Sequence, residues 1–414
     1  MSRADFRPFV PEPGEVAAVT ARAHAEARLQ LPRPRQLFAE WTELAAAPFR
    51  GLTTDGQCLP GLFSLQPEDA PVEAMVDAAH SLLQRLDSTQ RARTCFPVDS
   101  ELWRRWQNTE LYVERHGLRL EEVALPLREA VMALARASLS GRGYQSARDV
   151  MRLNGFLGEL VGAPAVLNEW SYIFCLFGEP SRREPWGWQL FGHHLSLNCL
   201  VIGHQMVLSP IFLGAEPAYA DVGPLAGTQL FQDQEHCGLT LMRSLSAAQQ
   251  RRAIVAHSMM DGDLPPGRRH FADQLHLGGA YQDNRIVPYE GLAATTLSAV
   301  QQRDLLELIG RYIEPLPAGP RAARLRQIER HLADTHFCWI GGLEDSSAFY
   351  YRVQSPVIFI EFDQHAGVFL TNQVPAKFHV HTIVRTPNGN DYGIDLLRLH
   401  YQQASHHQSH THTG

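Results

Sequence analysis

Residues 186–198 read WGWQLFGHHLSLN, aromatic and apolar with two adjacent histidines and no acidic or strongly basic residue. Such a run is strand-forming sequence, and its neighbours decide the fold class. It is the middle of three β-rich stretches, 166–178, 186–202 and 206–214, separated only by the turn-like GEPSRREP at 178–185 and by Gly203. Connections this short predict an antiparallel meander.

Outward from the meander the pattern changes on both sides. Residues 1–160 read as helical. Pro13-Gly14-Glu15 opens an Ala-rich amphipathic run to about Leu31, and 70–86 places Val72, Met75, Val76, Ala79, Leu82 and Leu83 at helical spacing. A short helix is expected around 88–106 and a longer one over 117–139. C-terminal to the meander, helices are expected at 225–245, 246–257, 298–314 and 320–334, the second opened by a capping signal from Ser246 to Gln249. Strands return at 336–341, 347–354, 356–363 and 377–385, followed by a last helix at 392–403. Strands on both sides of a helical insertion predict an α+β fold. An N-terminal helical layer at 1–160 would pack on a mainly antiparallel sheet assembled from central and C-terminal strands within 161–403. Residues 404–414 read as a disordered His-rich tail carrying His406, His407, His410 and His412. No internal repeat is read from the sequence.

Composition narrows the function classes. The chain has 414 residues, 44% of them hydrophobic and 20% charged, with a formal charge of -7 and no basic stripe suited to a phosphate backbone. Nucleic acid is not an expected partner. No run approaches the roughly 20 apolar residues that span a bilayer, and the N-terminus lacks signal-peptide architecture, so a cytoplasmic protein without membrane contact is expected. Six cysteines without a C-x-x-C pair disfavour a thiolate zinc knuckle and a disulfide framework. G-x-S-x-G, Walker A, H-E-x-x-H and dinucleotide fingerprints are missing. The sequence carries no signal of oligomeric state.

Three segments carry chemistry. Read as one continuous strand, GHHLSLN projects His194, Ser196 and Asn198 together, with His193, Leu195 and Leu197 opposite. His194 then faces a site with Asn198 orienting a ligand or substrate, and His193 lies on the leucine face; a bulge at Gly192 would reverse the assignment. In IFIEFD, Glu361 and Asp363 share a face, and a carboxylate in so apolar a strand needs a cation, proton or metal. Glu361 is either an ion-pair partner of Arg352 across a hairpin, or a metal ligand or general base. In FHVHTIVR, the H-x-H spacing puts His379 and His381 on one strand face, able to chelate one ion. Arg385 and Asp391 flank the next turn, as an anion clamp or a turn-stabilising pair. Glu216, Glu235 and His400 are weaker candidates.

Together WGWQLFGHHLSLN, GAEPA at 214–218, YYRVQSP at 350–356, IEFD at 360–363 and HVHTIVRTPNGNDYGIDLLRLHY at 379–401 resemble the uncharacterised family catalogued as domain of unknown function 3500. The likeness runs in order from about Leu118 to Tyr401. It implies one conserved α/β unit and a shared site built from these motifs, and no particular reaction. An inserted Gly389 and Thr386 in place of an acidic residue depart from the family pattern near the implied site.

The expected function is a metal-dependent enzyme acting on a small organic substrate. His194, His379 and His381, with His193 as the alternative from the first pair and Glu361 alongside, would bind one divalent ion, either zinc, iron, manganese or copper. Glu361, Arg385 and Asn198 are the expected catalytic residues. Hydrolysis by metal-activated water needs the fewest further parts. A non-haem iron or copper oxidoreductase, and a non-catalytic small-molecule or metal-binding protein, are the alternatives.

Overall fold

The computed structural model describes residues 5–12, 20–260, 262 and 264–403. The opening turn read at 13–15 and the His-rich tail lie outside them. Helix α1 (Ala21–Arg28) starts at a Thr20 side-chain cap, and α2 (Pro32–Ala46) starts at a proline that needs no N–H partner there.

From Val72 onward one succession of elements occurs twice. The first half is α3 (Val72–Leu83), α4 (Ser88–Thr94), β1 (Cys95–Phe96), β2 (Leu118–Arg119), α5 (Leu125–Ser138) and α6 (Gly141–Leu160). A four-strand meander follows: β3 (Tyr172–Phe177), β4 (Trp186–Gly192), β5 (Leu195–Ile202) and β6 (Gln205–Ala215). The second half is α7 (Gln232–Ser244), α8 (Ala247–Ala253), β7 (Ile254–Ala256), β8 (Leu292–Ala293), α9 (Ala299–Tyr312) and α10 (Ala318–Arg330). Its meander is β9 (His336–Gly341), β10 (Phe349–Gln354), β11 (Phe359–Gln364) and β12 (Val380–Arg385), and α11 (Ile394–Gln403) closes the described chain.

Among the described residues, twelve strands form one sheet in the order β1-β3-β4-β5-β6-β12-β11-β10-β9-β7, with β2 beside β3 and β8 beside β9. The α+β class and mainly antiparallel sheet expected from the sequence are present. The reading without a repeat is corrected. In each half the first short strand runs parallel to the third and the second antiparallel to it, and Leu118 opposite Phe174 corresponds to Leu292 opposite Phe337. The halves meet where β6 and β12 pair antiparallel, Ile211 opposite Val384, which relates them by an approximate twofold axis.

Local signals repeat with the topology. Capping boxes Asp87–Gln90 and Ser246–Gln249 open α4 and α8. Gly117 and Gly291, at φ +81° and +82°, precede β2 and β8; a β-carbon on either would lie within 3 Å of Cys175 Sγ or of Cys338 Cβ respectively. The twofold signal rests on caps, glycines and registers, whereas the side chains between them differ.

The two faces of the sheet differ. On one, Trp188 donates to Ser138 Oγ of α5 (2.9 Å) and the Tyr351 hydroxyl to Gln234 O of α7 (2.9 Å), so the helical layer covers aromatic side chains. The other carries buried polar pairs: Gln189 opposite Asn198, Arg352 opposite Glu361, and Asp363 opposite His381. Loop backbone, with one short 3-10 helix at Glu101–Arg104, covers this face, from 97–117 after β1 and over 264–291 after β7, the same position in each half. Its unpaired N–H and C=O groups satisfy the polar rows, as where Gln189 donates to Trp103 O (2.7 Å).

The expected strand over 186–202 is also corrected. It is a hairpin: Gly192 stands opposite Leu195, and His193-His194 is the two-residue turn between β4 and β5. His194 has φ +63°, its N–H donates to Asn108 O (3.2 Å), and its carbonyl accepts from Gly214 N (2.8 Å). Strand alternation therefore stops at Gly192 and does not separate the two histidines.

Candidate functional site

The turn brings His194 to the H-x-H strand. Ligand atoms of His194, His379 and His381 all lie within 4.8 Å of one another, and all three residues are buried. The Nε2 atoms of His379 and His381 are 3.1 Å apart. Two imidazole nitrogens each 2.0–2.1 Å from one ion would be separated by about 2.9–3.4 Å at octahedral to tetrahedral angles. The same 3.1 Å is the length of an N–H···N hydrogen bond between the two rings, and it is also compatible with a shared ion.

The orientation of His379 has a structural cause. Its Nδ1 donates to Ala366 O (2.9 Å), because a carbonyl can only accept, and this turns Nε2 towards His381. Ligating histidines characteristically donate their second nitrogen in this way. The loop that supplies Ala366 is pinned by Glu216, whose carboxylate accepts from the N–H groups of Val368 (2.8 Å), Phe369 (3.1 Å) and Leu370 (3.0 Å) and lies 3.7 Å from His379 Nδ1.

His193 stacks on His194 with ring centroids 3.8 Å apart and does not join the three-histidine group. Its Nδ1 donates to Asn154 Oδ1 (2.7 Å), whose amide nitrogen is engaged by Asn168 O and Ser171 Oγ. Burial pushes His193 down to about 4 and holds His194 and His381 well below the ordinary imidazole range, neighbouring imidazoles adding to the effect. Neutral rings with available lone pairs are the state a metal requires.

A second cluster abuts the first. His276, Asp363 and His365 also place ligand atoms within 4.8 Å of one another. The His365 and His381 ring centroids are 3.9 Å apart. Burial raises the Asp363 carboxyl to about 7, although His276 and the Leu275 N–H (3.1 Å) favour its charged form.

The remaining expected residues are placed elsewhere. Glu361 accepts from Leu277 N and Gly278 N (2.9 and 2.8 Å) and from the Tyr350 hydroxyl (2.6 Å). Burial opposes its charge, yet His276 and these donors hold the carboxyl below its usual range. Arg352 stands directly opposite in the ladder but sends its guanidinium to Glu290 (2.8 Å), so the cross-hairpin pair is not formed. Asn198 accepts from Gln189 (2.6 Å) and donates to Pro210 O (2.8 Å). Arg385 bonds Gly278 O, Gly279 O, Asp283 and Asp391. Glu235 pairs with Lys377 (2.7 Å), and His400 lies 3.6 Å from Glu184.

His193, His194 and His381 line a cavity of about 500 Å³. Glu361, Asn198 and Arg385 are not among its lining residues. Arg28, Arg33 and Arg269 bring cationic groups to the cavity, Trp41, Met260 and Phe271 bring apolar surface, and Asn108, Gln274 and Asn372 bring amides. Asp273 lines it too, its carboxyl raised to about 6 by burial against the opposing pull of His270 and Arg285.

A family model described as protein of unknown function (DUF3500) matches residues 68–394. The chain belongs to the DUF3500 family. No curated protein and no solved structure matches it. The match spans both halves of the twofold arrangement and the five clustered histidines, His194, His276, His365, His379 and His381, of this DUF3500 protein. His276, His365 and Gly214 were not singled out from sequence. His276 sits in the loop backbone of 264–291, where no periodicity assigns a direction. His365 continues the alternation of Glu361 and Asp363 by one step, which is a signal the sequence does contain.

Proposed function

We propose that this DUF3500 protein is a metal-dependent enzyme, hydrolytic in reaction class, with one divalent ion held by His194, His379 and His381 at the edge of the 500 Å³ cavity. The observation that carries the reading is the 3.1 Å approach of the two Nε2 atoms, one of them oriented by Ala366 O. Three imidazole nitrogens and no thiolate would suit zinc, iron, manganese or copper. A bound divalent ion lowers the pKa of its water towards neutrality. Asp273, a carboxyl of the same cavity that burial raises above its usual range, would be suited to accept a proton from a water activated in this way. The arginines at the cavity favour a small organic substrate carrying a carboxylate or phosphate, with apolar surface against Trp41 and Phe271.

The six cysteines form no disulfide, which supports a reducing compartment and hence the cytoplasm. Among the described residues no helix is long and apolar enough to cross a membrane.

The test uses the full chain with His406, His407, His410 and His412 replaced by asparagine, so that the tail contributes no metal. Metal content by mass spectrometry is followed by assays on anionic ester, amide and phosphoester substrates, with His194→Ala and His381→Ala alongside. Bound zinc or manganese with hydrolysis lost in both variants supports the reading. Bound iron or copper with substrate-dependent dioxygen uptake would replace it with the oxidoreductase, and no metal in any preparation would remove it.

A further inference from the structure

The second cluster contains polar atoms that the protein does not satisfy. His276 Nε2, both ring nitrogens of His365 and Asp363 Oδ1 are buried without a hydrogen-bond partner, although the three residues are at most 2% exposed. His365 Nε2 lies 2.9 Å from Asp363 Oδ2, but off the line that a hydrogen bond needs. Native proteins leave few buried polar groups unpaired, and a concentration of them in one place is a mark of a ligand. Here they belong to three side chains whose ligand atoms lie within 4.8 Å of one another.

The donor set identifies the ligand class. Two imidazoles and one carboxylate are electron-pair donors, and the carboxylate has its other oxygen fixed by Leu275 N. An anion would meet Asp363 with like charge, and a neutral organic molecule would have to occupy the space between side chains already close enough to touch. A cation of small radius meets all three donors at once. We propose that His276, Asp363 and His365 form a second divalent-cation site beside the three-histidine group, making the centre dinuclear.

The two sites are coupled by position. The His365 ring lies 3.9 Å from that of His381, and His276 lies 6.1 Å from the same ring, so ions in both groups would be close neighbours. Asp363 stands directly opposite His381 in the β11–β12 ladder, which fixes both ligand sets on one rigid pair of strands. Paired divalent ions in hydrolytic centres hold the attacking and leaving oxygens of a displacement between them. Binding at the second site does not require the first to be filled, so the two assignments can fail separately.

The experiment is a titration of the full chain, tail histidines replaced by asparagine as above, stripped with chelator and then loaded with Co²⁺ or Zn²⁺. Stoichiometry is read by mass spectrometry and, for Co²⁺, by its visible spectrum. Two equivalents are expected, falling to one in His276→Gln and in Asp363→Asn, the latter keeping the Leu275 contact and so guarding against a folding failure. His194→Ala should also retain one equivalent, with a different cobalt spectrum. One equivalent that survives both His276→Gln and Asp363→Asn overturns the second site and leaves the three-histidine site standing. One equivalent lost in Asp363→Asn but kept in His194→Ala supports the second site and overturns the first. No bound metal overturns both.

Discussion

Gly214 of β6 stands directly opposite His381 of β12, and a β-carbon built on it would lie 2.8 Å from His381 Cδ2. The same atom would be 3.1 Å from His194 Cδ2, so the missing side chain makes room for two of the three clustered imidazoles. Gly214→Ala should push both rings off their positions and weaken metal binding at least tenfold. The overpacking itself should cost about 1–3 kcal/mol. Competition against a chromophoric chelator, with urea unfolding of the same samples, checks both numbers. Gly310→Ala is the control: nothing lies within 4 Å of its β-carbon position in α9, and alanine there should be neutral or stabilising by up to about 1 kcal/mol. Unchanged metal affinity in Gly214→Ala would show that the rings do not meet around an ion.

Glu216 holds three consecutive N–H groups of the loop that orients His379. Glu216→Gln replaces charged acceptors by one neutral oxygen, and the loss should be about 1–3 kcal/mol. Because Ala366 O would no longer be held in place, metal affinity should fall by about 10–100-fold, the range for partners that orient a ligating histidine. Amide hydrogen exchange should rise at 366–370 before it rises in β12. Exchange that rises equally everywhere would instead mark a global loss of stability.

The α+β class and the strands at 336–341 and 377–385 were legible because apolar β runs bounded by turns are a strong local signal. The convergence of His194 with His379 and His381 was legible from two short motifs. What failed was the face assignment across 186–202. It assumed an unbroken strand, whereas a two-residue turn at His193-His194 lets both rings reach the same side. His276 was unreadable for a different reason: it is carried by loop backbone crossing the polar face, and no period predicts where such a segment docks. The duplication escaped because the halves share topology and registers more than side chains. Gln189 opposite Asn198 in one half occupies the place of Arg352 opposite Glu361 in the other.

His193 supplies a pH test in metal-free protein. Its imidazole sits at about 4 in the fold because burial disfavours the charged form, against about 6.5 in an unfolded chain. The unfolded state therefore binds the extra proton between these values, and stability falls as pH drops through about 6.5 and levels off near 4. At pH 5 the difference amounts to about 2 kcal/mol for this one group. His193→Gln, which can still donate to Asn154, should reduce the stability gap between pH 7.5 and pH 5 by about that amount in urea unfolding with chelator present. A gap of unchanged size would mean that His193 is solvated or already charged in the native state.

Arg385 separates a structural role from the catalytic one expected of it. Its guanidinium lies 2.9 Å from both Asp283 and Asp391 and also donates to the carbonyls of Gly278 and Gly279, with no exposed surface. Asp283 is further held by Arg104 and the Tyr392 hydroxyl, and Asp391 by Ser209 and Thr386 N. Burial works against the Arg385 charge, but the two carboxylates raise its pKa overall. Arg385→Met would leave two buried carboxylates short of one cation, and breaking such a pair costs about 3–5 kcal/mol. Neutralising both acids as well, in Arg385→Met/Asp283→Asn/Asp391→Asn, should recover part of that loss. Metal stoichiometry of the folded fraction should stay as in the parent, because none of the hydrogen-bond partners of Arg385 is a proposed ligand. If Arg385→Met instead unfolds at the parental urea concentration while turnover disappears, the guanidinium acts on substrate and the buried network is incidental.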